Sequence, residues 1–236
     1  MYYSHTSSQQ RIKSEKSKSR GFTLPEALIS LTIIGFLSAG LTYFMKDVAY
    51  GLFWGTQKIE ISQDVRSFTM RIAAEARSAN SAIIYSSFKN TDRDQGADRR
   101  DDGLSGDCLV LVNTEPYPNA DSPEHYTRVI VYFRKAAETE NIGPVRRLEW
   151  PASGTTGTSH YVDASGKTIE ELLTSIAADD TGDYPVIVEL SRGMADGRLF
   201  TNFRQGKVIV VNGEILHGNQ AEEVTNTYNL SISPRG

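Results

Sequence analysis

The sequence contains very little cysteine and histidine. Its single cysteine, Cys108, has no partner in the chain for a disulfide, and one thiol does not make a zinc cluster. The four histidines lack the short spacings of metal ligands. The chain also has no Gly-x-Ser-x-Gly nucleophile turn and no Gly-rich phosphate loop. These absences argue against a disulfide scaffold, a zinc domain and the common hydrolases, and we expect no enzymatic activity.

The chain also lacks a net positive charge. The formal net charge is -4, so no overall basic field is available for nucleic acid. The pairs Arg99-Arg100 and Arg146-Arg147 are too few to argue for DNA capture, and nucleic acid is not a predicted partner. Basic residues are concentrated instead before residue 21, where Glu15 is the only acid.

A long apolar run follows this basic segment. Phe22 to Met45 contains one charged side chain, Glu26, and no charge lies between Ala27 and Met45. As a helix, this uncharged stretch would be about 30 Å long, which is close to the hydrocarbon thickness of a bilayer. The basic residues before it predict a cytoplasmic N-terminus, with the rest of the chain on the far side of the membrane.

Three other interpretations of the apolar run are open. It is also compatible with a core helix of a soluble protein, an ordinary signal peptide, or a plain anchor for some other periplasmic domain. A signal peptide should have a shorter apolar stretch that ends in a small-x-small site, and Ser38-Ala39-Gly40 matches this poorly. None of the three explains Glu26, because a carboxylate in lipid is costly and requires a partner.

Cleavage between Gly21 and Phe22 would supply that partner. It would create an α-amino group four residues before Glu26, and the amine and the carboxylate would pair within one chain or between neighbouring chains. The simpler interpretation is that Glu26 lies among the lipid headgroups and is solvated.

The segment Arg20–Glu26, with the sequence RGFTLPE, and the apolar residues after it resemble the cleavage and methylation signature of type IV pilins and type II secretion pseudopilins. In that family a basic leader ends in Gly, the mature chain begins with Phe, and Glu is its fifth residue. The resemblance implies cleavage after Gly21 by a membrane aspartyl prepilin peptidase, N-methylation of Phe22, and a role for Glu26 in subunit register. Pro25 departs from the usual aliphatic residue, but a helix tolerates proline in its first turn.

Residues 47–85 predict an amphipathic continuation of the helix. No proline interrupts residues 47–82, and apolar residues recur there at spacings of three and four. Other faces carry Arg66, Arg71, Glu75 and Arg77, which we expect to meet water or a neighbouring subunit. The apolar stripe consists of Val65, Phe68, Ile72, Ala76, Ala79 and Ile83.

Glycines recur along the predicted helix, although glycine weakens a helix interior. Close packing between helices would offset this cost, since small residues let backbones approach in lipid. Alternatively, the glycines mark a segment that melts when subunits enter a filament. These glycines are Gly35, Gly40, Gly51 and Gly55.

Residues 86–236 predict a β-rich head. Short β-branched and aromatic runs alternate with turn signals and not with helices, which favours an antiparallel sheet. Asn212-Gly213 is a strong hairpin signal. Thr168 and Glu171 form a capping box for one short helix, and residues 152–165 predict a loop. The predicted strands are 108–112, 128–133, 144–150, 186–190, 199–203, 207–211, 215–216 and 225–233.

The acidic loop between residues 90 and 107 is a candidate calcium site. Asp92, Asp94 and Asp98 have alternate spacing, and some pseudopilins bind calcium in a loop of their β-domain. An EF-hand would need Gly and Glu where Ala97 and Gly103 stand, and nearby arginines neutralise the cluster. We therefore expect a solvated loop and no cofactor, with these three aspartates as the calcium candidates.

Together these patterns predict an α+β, pilin-like fold. Its parts are a leader (1–21), a transmembrane and filament-core helix (22–46), the amphipathic continuation (47–85) and an antiparallel β-rich head (86–236). The predicted function is that of a minor pilin or pseudopilin, first in the inner membrane with its head in the periplasm and then in a pilus or pseudopilus. The implied partners are a prepilin peptidase, other pilin or pseudopilin subunits, an assembly ATPase and a platform protein. The alternative function is a periplasmic binding module that is anchored by the same helix and never polymerises.

Overall fold

A computed structural model describes residues 21–89, 98–115, 125–134, 142–151, 166–178, 184–219 and 222–235. Residues 1–20 of the predicted leader (1–21), the predicted loop 152–165, Asp92 and Asp94 lie outside these residues. The fold is α+β, with a long N-terminal helix followed by an antiparallel sheet, as the sequence predicted. In chain order the elements are α1 (Leu24–Ser78), β1 (Ser81–Tyr85), β2 (Ser105–Gly106), β3 (Cys108–Glu115), β4 (His125–Arg134), β5 (Ile142–Trp150), α2 (Ile169–Ala178), β6 (Val186–Gly193), β7 (Phe200–Phe203), β8 (Val208–Asn219) and β9 (Glu222–Ile232).

The chain divides into two compact units, one ending at Gly51 and the other beginning at Leu52. In the first unit, α1 is long and apolar enough to cross a membrane, judged by its length and composition. In the second unit, α1 is amphipathic, and the predicted stripe is confirmed at Phe68, Ile72 and Ala76, which are all buried.

The helix ends earlier than the sequence predicted. Helical periodicity extended to Ala82, but α1 ends at Ser78 and the next residues form β1. Ile83, which was assigned to the helical stripe, therefore lies in a strand that pairs with β3, opposite Val110. Because Ile83-Ile84-Tyr85 are β-branched and aromatic, they favour a strand once a neighbouring strand is available.

The nine described strands form one curled sheet in the order β1-β3-β4-β5-β6-β8-β7-β2, and β9 pairs with the other edge of β8. The curl brings β2 close to β1. Just after these two strands, the Asp107 N–H donates to the Ser86 carbonyl at 3.0 Å. A Cβ at Gly106 would lie 2.0 Å from the carbonyl oxygen of Tyr85, so only glycine permits this approach.

The hairpin predicted at Asn212-Gly213 is wrong, because β8 passes through both residues without turning. Strand β8 continues to Asn219, and the turn that precedes it, between β7 and β8, contains the bond from the Lys207 N–H to the Arg204 carbonyl at 3.3 Å. Gly213 is needed for a different reason. A Cβ there would lie 2.7 Å from the Arg192 carbonyl oxygen, so the glycine permits close approach of β6.

Two apolar clusters cover opposite faces of the sheet. The α1 residues of the second unit pack on one face, where Leu109 and Leu111 of β3 point toward them. Helix α2 covers the other face and packs with Cys108, Val110 and Val112. This explains the uninterrupted apolar run of β3, since both of its faces are buried. Cys108 is buried, as predicted.

The capping box predicted for α2 is confirmed. The Thr168 N–H donates to Oε2 of Glu171 at 2.9 Å, and the Glu171 N–H donates to Oγ1 of Thr168 at 3.3 Å. These reciprocal bonds satisfy two amide groups at the start of the helix, which fixes where α2 begins.

Candidate functional site

The N-terminal motif forms the first turn of α1. Thr23 is the residue before the helix, and its N–H donates to Oε2 of Glu26 at 3.0 Å. The Thr23 hydroxyl donates to the same oxygen at 2.9 Å. The first helical bond runs from the Ala27 N–H to the Thr23 carbonyl at 3.1 Å. Pro25 lies inside this turn, where a backbone donor is not required.

This intrachain partner of Glu26 was missed in the sequence. Thr23-x-x-Glu26 has the spacing of a capping box, the same signal that was recognised at Thr168. The two bonds from Thr23 reduce the cost of holding a carboxylate at the start of an apolar helix. The cleavage site at Gly21 and Phe22, the methylation of Phe22 and the register role of Glu26 stay predictions.

The residues after Glu26 present an apolar surface that is exposed among the described residues. Every residue from Gly21 to Phe53 is exposed, including Leu31 at 72% and Phe36 at 82%. A leucine or phenylalanine side chain gains about 1.5–3 kcal/mol when it moves from water to apolar surroundings. The segment therefore requires lipid or other apolar helices around it.

Of the three predicted calcium residues, Asp98 alone lies in the described part of the chain. Asp98 is buried and accepts a hydrogen bond from the Ser86 hydroxyl, while Asp92 and Asp94 lie outside the described residues. Within the described ranges, no group of three or more His, Cys, Asp or Glu residues is arranged to hold a metal ion.

Asp107, at the end of the acidic loop, is part of a buried ion pair. Arg134 donates to both of its carboxylate oxygens, from Nε to Oδ1 at 3.0 Å and from Nη2 to Oδ2 at 2.9 Å. The two side chains are 0% and 3% exposed. Arg198 adds a bond from Nη1 at 2.8 Å, and the Leu199 N–H adds one at 3.2 Å. Asp107 thus links β4 to the segments that precede β3 and β7.

Glu75 faces the sheet, and the expectation that it meets water or a neighbouring subunit is wrong. Nη2 of Arg147 lies 2.7 Å from Oε1 of Glu75, and the Tyr132 hydroxyl donates to Oε2. Burial and the hydrogen bond to Glu75 raise the pKa of Tyr132, so this tyrosine keeps its proton. Arg147 also pairs with Glu149 at 2.6 Å. These bonds hold α1 against the sheet through β4 and β5.

A second polar cluster joins α2 to the sheet. Glu170, at the start of α2, accepts hydrogen bonds from the Tyr85 hydroxyl at 2.8 Å and from Nε of Arg99 at 2.6 Å. Burial opposes ionisation of Glu170, but the hydrogen bonds from Tyr85 and Arg99 outweigh it and lower the pKa of the carboxyl group. Burial and the nearby Glu170 carboxylate raise the pKa of Tyr85.

We expect the stability of the Glu170→Gln variant to fall less steeply at acid pH than that of the wild type. Because the folded carboxyl has a pKa below its ordinary value of 4.5, its stabilising effect is complete above that value. The effect is lost as the pH falls through the folded pKa. The variant should therefore melt at a lower temperature than the wild type at pH 7 and lose less of its remaining stability between about pH 5 and pH 3. Circular dichroism melting curves measure this, and the exposed Glu60→Gln is the control that should follow the wild type.

Comparison with known proteins agrees with the N-terminal site. The prokaryotic N-terminal methylation motif matches residues 16–42, which confirms the type IV pilin and pseudopilin signature. No curated protein and no solved structure matches the chain. The motif supports a pilin-like or pseudopilin-like precursor, and it implies processing by a prepilin peptidase and assembly with other pilins. The apolar helix near the N-terminus fits a single-pass anchor of such a precursor.

Proposed function

We propose, from the signature at residues 16–42, that this chain is a structural subunit, a minor pilin or pseudopilin, of a type IV pilus or a type II secretion pseudopilus. The observation that carries the proposal is the continuity between the motif and the uncovered apolar part of α1. Lipid surrounds these side chains before assembly, and the equivalent helices of neighbouring subunits surround them afterwards. The same segment is thus both the membrane anchor and the filament core.

Proteolysis prepares the subunit in this proposal. A prepilin peptidase hydrolyses the bond between Gly21 and Phe22, which leaves a carboxylate on Gly21 and a free amine on Phe22. The neutral Phe22 amine then attacks the methyl group of a sulfonium donor, which leaves as a thioether, and the resulting secondary amine carries a positive charge. It pairs with Glu26 of a neighbouring subunit and displaces the two bonds that Thr23 makes in the single chain. Because the pair forms in surroundings of low dielectric constant, it favours the single register in which both charges meet.

The location and the remaining partners follow from the anchor. The chain is held in the inner membrane with its N-terminus in the cytoplasm and its head in the periplasm. Removing an apolar helix from lipid is unfavourable until other apolar helices replace the lipid contacts. An assembly ATPase and an inner-membrane platform protein therefore drive and guide this transfer.

Processing is tested by intact-mass measurement of the full chain from a bacterial host with or without a prepilin peptidase. With the peptidase, we expect a chain that begins at N-methyl-Phe22, and without it residues 1–21 should remain. Gly21→Val should keep the leader in both hosts, because the larger side chain blocks the cleavage site. A wild-type chain that keeps its leader beside an active peptidase would contradict the proposal. It would favour the anchored, non-polymerising binding module.

A further inference from the structure

A cavity of about 380 Å³ lies where the curled sheet brings the β7–β8 turn back toward β1. The apolar side chains that line the cavity include Ile83, Tyr126 and Ile169. Its polar lining comes from the segment before β2, which includes Arg100, and from the β7–β8 turn. The cavity thus combines an apolar surface with a cationic side chain.

The backbone of Arg100 is held in place on both sides. Its N–H donates to the Ile84 carbonyl at 2.8 Å, and its carbonyl accepts from Nδ2 of Asn202 at 2.7 Å. Its guanidinium is different, because Nε is buried and has no hydrogen-bond partner among the described residues. A buried N–H donor without an acceptor is unfavourable, and a ligand oxygen would remove that cost.

The other charged groups at the cavity define which anion fits. Arg99 is already paired with Glu170, and Asp102 accepts a hydrogen bond from the backbone N–H of Arg204. Asp101 lies at the exposed rim and disfavours ligands with several negative charges through repulsion. Arg100 is therefore suited to a group with a single negative charge, and its planar fork matches a carboxylate.

The β7–β8 turn forms a fixed wall of the cavity. Arg204 and Gln205 have φ angles of 54° and 58°, which is the left-handed region that residues other than glycine rarely adopt. The Gly206 N–H donates to Oδ1 of Asn202 at 2.7 Å, and a Cβ at Gly206 would lie 2.6 Å from the Ala82 carbonyl oxygen. Such strained segments occur at ligand sites, and a fixed wall lowers the entropy lost on binding.

We propose that this cavity binds a monocarboxylate with an apolar body. The carboxylate accepts hydrogen bonds from Arg100, and the apolar body covers Ile83, Tyr126 and Ile169. Two sources share this chemistry, namely a free organic acid and the C-terminal carboxylate of another polypeptide. The site does not depend on filament assembly and gives the head a recognition role in either form of the chain.

The test uses the full chain in detergent micelles, labelled with ¹⁵N at the arginine side chains. The signal of Arg100 Nε–H is assigned by its absence from the spectrum of Arg100→Lys. The probes are hexanoate, the peptide acetyl-Gly-Leu-Phe with a free carboxylate, the same peptide as its C-terminal amide, and inorganic phosphate. We expect the Arg100 signal to shift saturably with a carboxylate probe and to stay in place with the amide.

Affinity measurements on variants complete the test. Arg100→Gln should weaken carboxylate binding by about tenfold or more, whereas Arg77→Gln, at an exposed position of α1, should leave it unchanged. A response to hexanoate indicates a free acid as the source, and a response to the peptide acid alone indicates another polypeptide. The proposal is overturned if no probe shifts the Arg100 signal, or if the peptide acid and its amide shift it equally. It is also overturned if phosphate binds more tightly than the carboxylate probes. The affinities of the wild-type chain for the peptide acid and for its amide can also be compared by calorimetry, which needs no variant, so this comparison stands even if a variant fails to fold.

Discussion

Glu26→Gln is expected to abolish incorporation into filaments while cleavage after Gly21 continues. Glutamine keeps the length and the hydrogen-bonding oxygen of the side chain but removes its charge. In the assembled state, the methylated amine of Phe22 would then be buried without a counter-ion. Removing one member of a buried ion pair costs about 3–5 kcal/mol, so incorporation should fall by at least about a hundredfold. Crosslinking of sheared filaments measures incorporation, and intact mass measures cleavage.

This substitution separates two roles of the same carboxylate. In the single chain, Glu26 accepts hydrogen bonds from Thr23 and caps α1, and glutamine also serves in a capping box. A chain that needs Glu26 only as a cap would assemble normally with glutamine and poorly with alanine. Normal assembly of the glutamine variant would therefore exclude the register role, while loss of assembly in both variants would support it.

Asp107→Ala should strongly destabilise the head. The substitution removes the buried carboxylate that pairs with Arg134, and with it an acceptor for Arg198 and for the Leu199 N–H. The expected loss in the free energy of unfolding is about 3–5 kcal/mol, which corresponds to a Tm lower by about 10 °C for a domain of this size. Thermal and urea unfolding of the full chain in micelles, followed by circular dichroism, measure this loss.

An exposed ion pair in the same sheet provides the control. Arg192 and Glu214 are 3.7 Å apart, and their side chains are 47% and 29% exposed. Glu214→Ala should change the free energy of unfolding by less than about 1 kcal/mol, because solvent screens an exposed pair. If Asp107→Ala has an effect as small as Glu214→Ala, the buried pair does not stabilise the head.

The role of Asp107 was not visible in the sequence, where it ended a run of loop aspartates. The same is true of Glu75, which the helical pattern assigned to an outer face. Their partners Arg134 and Arg147 lie far along the chain, on β4 and β5. Only the folded sheet brings these charges within hydrogen-bonding distance.

Local signals also failed where a tertiary contact opposed them. Asn212-Gly213 has ideal turn chemistry, but β6 and β9 pair with β8 on both sides at Gly213 and keep the chain extended. The end of α1 follows the same principle, since pairing with β3 converts predicted helix at Ser81–Tyr85 into a strand. In both places, hydrogen bonds between segments that are distant in the chain outweigh the local conformational preference of a few neighbouring residues.

By itself, the sequence determined the methylation signature, the apolar helix behind it, the buried stripe of α1 and the capping box of α2. These features depend on residues within one or two helical turns of one another, so linear spacing is enough to specify them. The tertiary structure alone decided the order of the strands, the burial of Asp107 and the cavity beside Arg100. Each of these brings together segments that are distant in the chain, and the contacts between them are set by the pairing of strands, which spacing along the sequence does not encode.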